Sequence, residues 1–146
     1  MGGVEERNET IIRRWMEEGW NGRNVDLIDE LFAPNFIAKG GAHGEIGIDD
    51  YRVYVRLLMH AFPDLNGKIL DVVTAGEFVV IRIRVTGTYS HEVQGVAPSG
   101  SAIDVEIVDL WQISDGLIQT RVSAQFDRLE LESAIGTEIV FKPEFA

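Results

Sequence analysis

Apolar residues recur at helical spacing in the first third of the chain and alternate with polar ones in much of the rest. Over residues 5–20, EERNETIIRRWMEEGW, the positions Ile11, Ile12, Trp15, Met16 and Trp20 share one side of a helix, and acidic residues crowd its first turn. NGRN at 21–24 breaks it. VDLIDELF at 25–32 predicts a short second helix, ended before Pro34. NFIAK predicts a brief strand, followed by the Gly-rich loop GGAHGEIG. IDDYRVYVRLLMHAF at 48–62 predicts a third helix with Tyr51, Val55, Leu58 and Phe62 among its apolar positions, stopped by Pro63. The period then changes. KILDVV at 68–73, EFVVIRIRVTGTY at 77–89, SAIDVEIVDLWQI at 101–113 and LIQTRVSAQF at 117–126 predict strands. They are separated by a TAG turn, the longer SHEVQGVAPSG and an SDG turn with a strong hairpin signal. A short helix over 127–135 ends at Gly136.

Helices followed by a run of antiparallel strands make the fold class α+β. A strongly bent, mostly antiparallel sheet wrapped around N-terminal helices gives a cone-shaped half-barrel, with a ligand pocket expected inside. The expected organisation is one domain over 1–146, with its core in 8–136 and a C-terminal tail from 137 to 146 that lies over the core or joins a subunit contact. No internal repeat or linker interrupts it.

The strand faces single out a few side chains. In 77–89 the odd positions Val79, Ile81, Ile83 and Val85 are apolar, which leaves Arg82 and Arg84 on a solvated or subunit-facing side. In 101–113 one face reads Ile103, Val105, Ile107, Asp109, Trp111, Ile113. Asp109 is thus a carboxylate in an apolar row. Burial costs it several kcal/mol unless it is paired or protonated, and raises its pKa. It is either a structural residue that holds a loop or pairs with an arginine, or a functional one. In 117–126 the odd face, Leu117, Gln119, Arg121, Ser123 and Gln125, is polar and suits a wet cavity or another subunit. Asp127-Arg128-Leu129-Glu130 matches a capping box, so Asp127 has a ready structural role at a helix start. A carboxylate held by backbone N–H groups stays ionised, which also suits a base.

Composition narrows the chemistry. The 146 residues carry a net charge of −11 and no Lys/Arg cluster, so a nucleic-acid partner is not expected. The absence of cysteine excludes disulfides, thiolate catalysis and zinc–thiolate sites. No apolar run is long enough for a membrane span, and the polar, acidic MGGVEERNET argues against a signal peptide. A cytoplasmic location is therefore expected. Of the three histidines, His43 in the Gly-rich loop reads as exposed. His60, near the end of the third helix, complements its dipole, and His91 in the long loop is within reach of a pocket mouth. None has metal-ligand spacing, so no metal is expected, and no phosphate loop, GxSxG or GxGxxG is present.

AFPDL at 61–65, VVIR at 79–82, TGTYSHEVQGVAPSG at 86–100, VDLWQISDGLI at 108–118, FD at 126–127 and IG at 135–136 follow one another in an order that resembles the SnoaL-like polyketide cyclase family. That family lies within the nuclear transport factor 2-like and ketosteroid isomerase-like superfamily. NGRNVDLIDELFAPNFI also fits its pattern, and the resemblance runs from about residue 8 to 136. It implies a cone-shaped barrel with a deep apolar pocket, acid/base chemistry without a cofactor, and a homodimer or larger homo-oligomer. Asp127 matches the family's acid/base aspartate of an aldol-type ring closure, Asp109 its "iDi" aspartate and Arg82 its "VVxR" arginine. The chain departs from the family at Tyr89, where His is common, at His91, and at Gln119 and Arg121. It also runs one residue longer between Gly116 and Asp127, which predicts a bulge or a reversed face.

The leading expectation is an enzyme acting on an apolar, polycyclic or other carbonyl compound. Asp127 and Asp109 are its candidate catalytic residues. Trp111, Gln125, Tyr89, His60, His91 and Arg82 are its candidate ligand contacts. An isomerase or epoxide hydrolase on the same scaffold is one alternative. A non-catalytic small-molecule-binding or dimerisation module is another.

Overall fold

A computed structural model describes residues 2–41, 43–123 and 126–138. Helix α1 (Gly2–Arg14) runs directly into a π-helical segment (Trp15–Asn21), and together they cover the first predicted helix. A side chain on Gly19 would strike the Trp15 ring, which is fully buried. Helix α2 (Leu27–Leu31) leads into β1 (Phe32–Gly40), which is longer than the brief strand expected from NFIAK. Pro34 is accommodated because pairing of β1 lapses between Phe32 and Ile37, so its missing N–H is not needed there. The two-residue β2 (Ile46–Gly47) precedes α3 (Ile48–Ala61). Then follow β3 (Asn66–Ala75), β4 (Phe78–Thr88), β5 (Ala102–Ser114), β6 (Leu117–Ser123) and α4 (Phe126–Ile135).

The strands form one six-stranded sheet in the order β2-β1-β6-β5-β4-β3. Every neighbouring pair is antiparallel except β1 with β6. The sheet is mixed, curled and unclosed, as in the cone-shaped α+β folds. Its concave face and the N-terminal helices share one continuous apolar cluster that includes Trp15, Phe32, Phe36, Tyr51, Val79, Ile81 and Trp111. Strand β4 alternates as its sequence predicts, with Val79, Ile81 and Ile83 buried. Arg82 and Arg84 lie on the opposite face, where Arg82 binds Asp71 and Glu106 and Arg84 binds Asp104.

Two local features shape the interior. Asn21 closes the end of the π-helical segment onto β3. Its amide donates to the Gly67 carbonyl at 2.9 Å and accepts from the Gly67 N–H at 2.8 Å. Gly40 ends β1 at φ +79°, and a Cβ there would lie 2.3 Å from the Ser123 carbonyl oxygen of β6. Only glycine fits that left-handed, tightly apposed position. It lets the chain leave β1 and turn the 40–47 loop back toward the sheet.

Candidate active site

Between the concave face of the sheet, α3 and the π-helical segment lies a cavity of about 690 Å³ of atom-free space, its open mouth included. Met16, Trp20, Leu58, Ile83, Ile107 and Leu131 supply much of its apolar wall. Burying such side chains stabilises the fold by about 1.5–3 kcal/mol each. The polar lining groups are Tyr51 and Tyr54 from α3, Asp109 from β5 and Arg121 from β6, together with Asn21 and Glu130.

A bulge in β6 turns Arg121 inward. Ile113 pairs with Ile118, whereas Gln112 pairs with Thr120, so Gln119 is an extra residue. Ile118 and Arg121 are therefore both buried although they are three apart, and Val122 is turned outward. The simple even-and-odd reading of this strand fails at Gln119. Past the bulge, Arg121 lies opposite Trp111 and Ser123 opposite Asp109. Asp109 is 3% exposed and Arg121 4% exposed.

The electrostatics follow from burial. Loss of water pushes the Asp109 carboxyl above the ordinary carboxylate range, while the Arg121 charge and the Ser123 hydroxyl pull it the other way. Desolvation dominates. Asp109 Oδ1 has no hydrogen-bond partner in the protein, and neither has Trp111 Nε1. The Tyr51 hydroxyl is pushed up to about 12, chiefly by burial. The Arg121 charge opposes that rise, and the nearby Trp15 and Trp20 side chains do so more weakly. The Tyr51 oxygen makes no hydrogen bond of full geometry. The Arg121 guanidinium carbon stands 5.5 Å from the centroid of the Tyr51 ring, a cation–π arrangement.

His43 belongs to this cluster, contrary to the exposed loop position expected for it. It is 7% exposed, with its ring edge-on to Tyr54 at 4.5 Å and to Tyr51 at 6.2 Å. Its Nδ1–H donates to the Gly44 carbonyl at 2.5 Å, and its Nε2 accepts from Arg121 Nη2. Burial, aided by the Arg121 charge, pushes its pKa down to about 3. The ring is therefore neutral at ordinary pH and acts as an acceptor toward Arg121.

Of the expected site residues, Asp109 and Trp111 line the cavity. Tyr89 is fully buried elsewhere. Its hydroxyl donates to the Val96 carbonyl and accepts from the Val93 N–H at 3.0 Å, which ties down the 90–100 loop. His60 and His91 are exposed and stacked at 5.0 Å, with His91 Nδ1 2.9 Å from the His60 carbonyl. Arg82 is on the outer face of the sheet. Gln125 lies outside the described residues, as do positions 139–146 of the tail. Asp127 is the second residue of α4, one turn before Glu130 and Leu131, which line the cavity. The helix thus starts one residue before the expected cap. Sequence reasoning missed His43, Tyr51 and Tyr54 as site residues. A His flanked by glycines with positive φ at Gly40, Gly41 and Gly44 was the available signal for the first. Among the described residues no group of three or more metal-ligating side chains is assembled, and no helix is long and apolar enough to cross a membrane.

The model of the SnoaL-like polyketide cyclase family matches residues 10–135. The chain belongs to this family. Among solved structures, a protein from Jannaschia sp. CCS1 assigned as a SnoaL-like polyketide cyclase is similar over 91% of this chain and 94% of its own, with 28% identity and a TM-score of 0.81. AclR from Streptomyces galilaeus, assigned as a hydroxylase, has a TM-score of 0.78 at 20% identity, covering 90% of this chain and 82% of its own. IdmH from Streptomyces antibioticus, assigned as a polyketide cyclase, has a TM-score of 0.74 at 20% identity, over 89% and 99% of the two chains. The last two show the shared fold. No curated protein matches the sequence. Within this SnoaL-like chain, the cavity, the β6 bulge and the polar cluster are the parts on which chemistry can be built.

Proposed function

We propose that this SnoaL-like chain is a cyclase-type enzyme that performs acid/base chemistry, without a cofactor, on an apolar carbonyl compound held in the cavity. The observation that carries this reading is an apolar cavity whose wall holds buried polar atoms, Asp109 Oδ1, Tyr51 Oη and Trp111 Nε1, with no hydrogen-bond partner in the protein. Orphaned buried groups cost about 1–3 kcal/mol each, and a ligand oxygen offsets that cost. In the proposed step one carboxylate removes a proton from the carbon next to a carbonyl. The enolate carbon forms a bond to a second carbonyl carbon of the same molecule, and the resulting alkoxide regains the proton. Atoms balance and no oxidant is needed. Asp127, near the start of α4, is the proposed base. Asp109, whose carboxyl burial pushes above the ordinary carboxylate range, is the proposed hydrogen-bond donor to the developing oxyanion. Holding the chain folded in a near-attack geometry supplies most of the remaining rate.

The test follows deuterium incorporation from D₂O beside the carbonyl of polycyclic and poly-β-carbonyl compounds by NMR. Protein-dependent exchange is expected, and Val105→Trp, which fills the cavity from β5, should remove it while leaving the fold intact. Tight binding without any exchange would instead favour a non-catalytic binding module.

We also propose a homodimer formed through the outer face of the sheet. Phe78, Val108 and Val122 are exposed there, and Val80, Leu110 and Val122 stand side by side across β4, β5 and β6. Sedimentation at micromolar concentration should give twice the chain mass, and Val108→Lys combined with Val122→Lys should return the monomer. A monomeric wild type would overturn this assembly.

A further inference from the structure

The polar cluster at the cavity contains residues that the proposed reaction does not use, His43 among them. His43 does not line the cavity; it stands behind Arg121. Its environment leaves it one chemical role. Nδ1–H is committed to the Gly44 carbonyl, so Nε2 must carry the lone pair, and that lone pair receives Arg121 Nη2–H. The rings of Tyr54 and Tyr51 pack edge-on against the imidazole and fix its plane. The guanidinium is thus held from one side by His43 and from another by the Tyr51 face. It sits on β6, beside the strand that carries Asp109, and its charge acts on that carboxyl.

We propose that His43 is the positioning residue of this site: a neutral imidazole that fixes the Arg121 guanidinium and, through it, sets how readily Asp109 holds a proton at the cavity. The inference rests on Asp109 being the donor to the oxyanion in the proposed reaction. The groups that bear on His43 and Asp109 are Tyr51 and Tyr54 from α3, Arg121 and Ser123 from β6, and Glu130, which α4 brings to the same cavity. A side chain in place of the imidazole with an acceptor atom should serve. One without an acceptor should not.

The test needs no substrate, so its failure is distinguishable from failure of the proposed reaction. The Asp109 carboxyl is followed by ¹³C NMR across pH in the wild type, His43→Phe and His43→Gln, with Asp109→Asn to assign the signal. Phenylalanine fills the space but accepts no hydrogen bond, whereas the glutamine carbonyl does. His43→Phe is expected to change the proton affinity of Asp109 at least tenfold, and His43→Gln to keep it within about threefold of the wild type. An unchanged midpoint in His43→Phe, or equal shifts in both variants, would overturn the proposal. Should His43→Phe fail to fold, ¹⁵N spectra of the wild-type imidazole at pH 6 decide. A neutral ring protonated on Nδ1 is expected there, and a doubly protonated or Nε2–H ring would refute the proposal.

Discussion

Asp127→Asn is expected to lower turnover on a verified substrate by about 10²–10⁴-fold, the usual contribution of a positioned proton-transfer group. Folding should survive. Asp127 is the second residue of α4, where a negative charge interacts with the helix dipole for only about 0.3–1 kcal/mol. Asparagine keeps the shape and hydrogen-bonding capacity at that place. Asp109→Asn should also reduce turnover but should carry a different stability signature. The wild-type carboxyl is buried and its pKa is raised from 3.8, so folding favours its protonated form. Its contribution is fully present below that ordinary value and declines as pH rises through the folded value. An amide does not titrate, so Asp109→Asn should hold or gain stability relative to the wild type at neutral pH. Parallel rate assays and urea titrations of the two variants separate the roles. Turnover unchanged in Asp127→Asn would remove that residue from the mechanism and leave Asp109 as the proton-transfer group.

Lowering the pH from 7 to 4 is expected to remove about 3 kcal/mol of folding stability through His43 alone, by the linkage between proton binding and folding. In the folded protein the imidazole titrates near 3, against 6.5 when exposed. The sign follows from the lowered value. The unfolded chain takes up a proton below 6.5 and the folded one does not, so stability is fully present above 6.5 and falls until the pH reaches about 3. For a protein whose whole stability is typically about 5–15 kcal/mol, that is a large share. The measurement is the stability difference between the wild type and His43→Gln from urea titrations at several pH values. Asp109 contributes with the opposite sign in both proteins and cancels from that difference. Glutamine does not titrate, so the gap should move in favour of the variant as pH falls. A gap independent of pH would mean that His43 is protonated inside the fold, and would contradict its role as an acceptor for Arg121.

Much of the fold was legible because its elements carry strong local patterns. Trp15, Met16 and Trp20 mark one face of the first helix, and Val79, Ile81 and Ile83 mark the buried face of β4. Asp109 stood out because a carboxylate in an apolar row conflicts with its neighbours, and such a conflict is visible without coordinates. Arg82 shows the limit of matching a motif. Its position in the strand fits the family pattern, but strand alternation places it on the outer face, where Asp71 and Glu106 hold it. Tyr89 shows another limit, because an aromatic residue beside a long loop serves that loop through its hydroxyl as readily as it serves a ligand.

By itself the sequence determined the class of fold, the order of its elements, the apolar interior and the carboxylate in β5, because hydrophobic period and strand parity are properties of neighbouring residues. The resemblance to the family added the expectation of a bulge or a reversed face before Asp127. Only the tertiary structure decided that β6 bulges at Gln119, a single step that turns Arg121 and Ser123 toward Asp109. Only the tertiary structure decided that His43, in a loop of glycines 78 residues before Arg121, folds inward to meet it. Contacts of that kind depend on strand register and on backbone turns that glycine permits, and neither is written in the local alternation of polar and apolar residues.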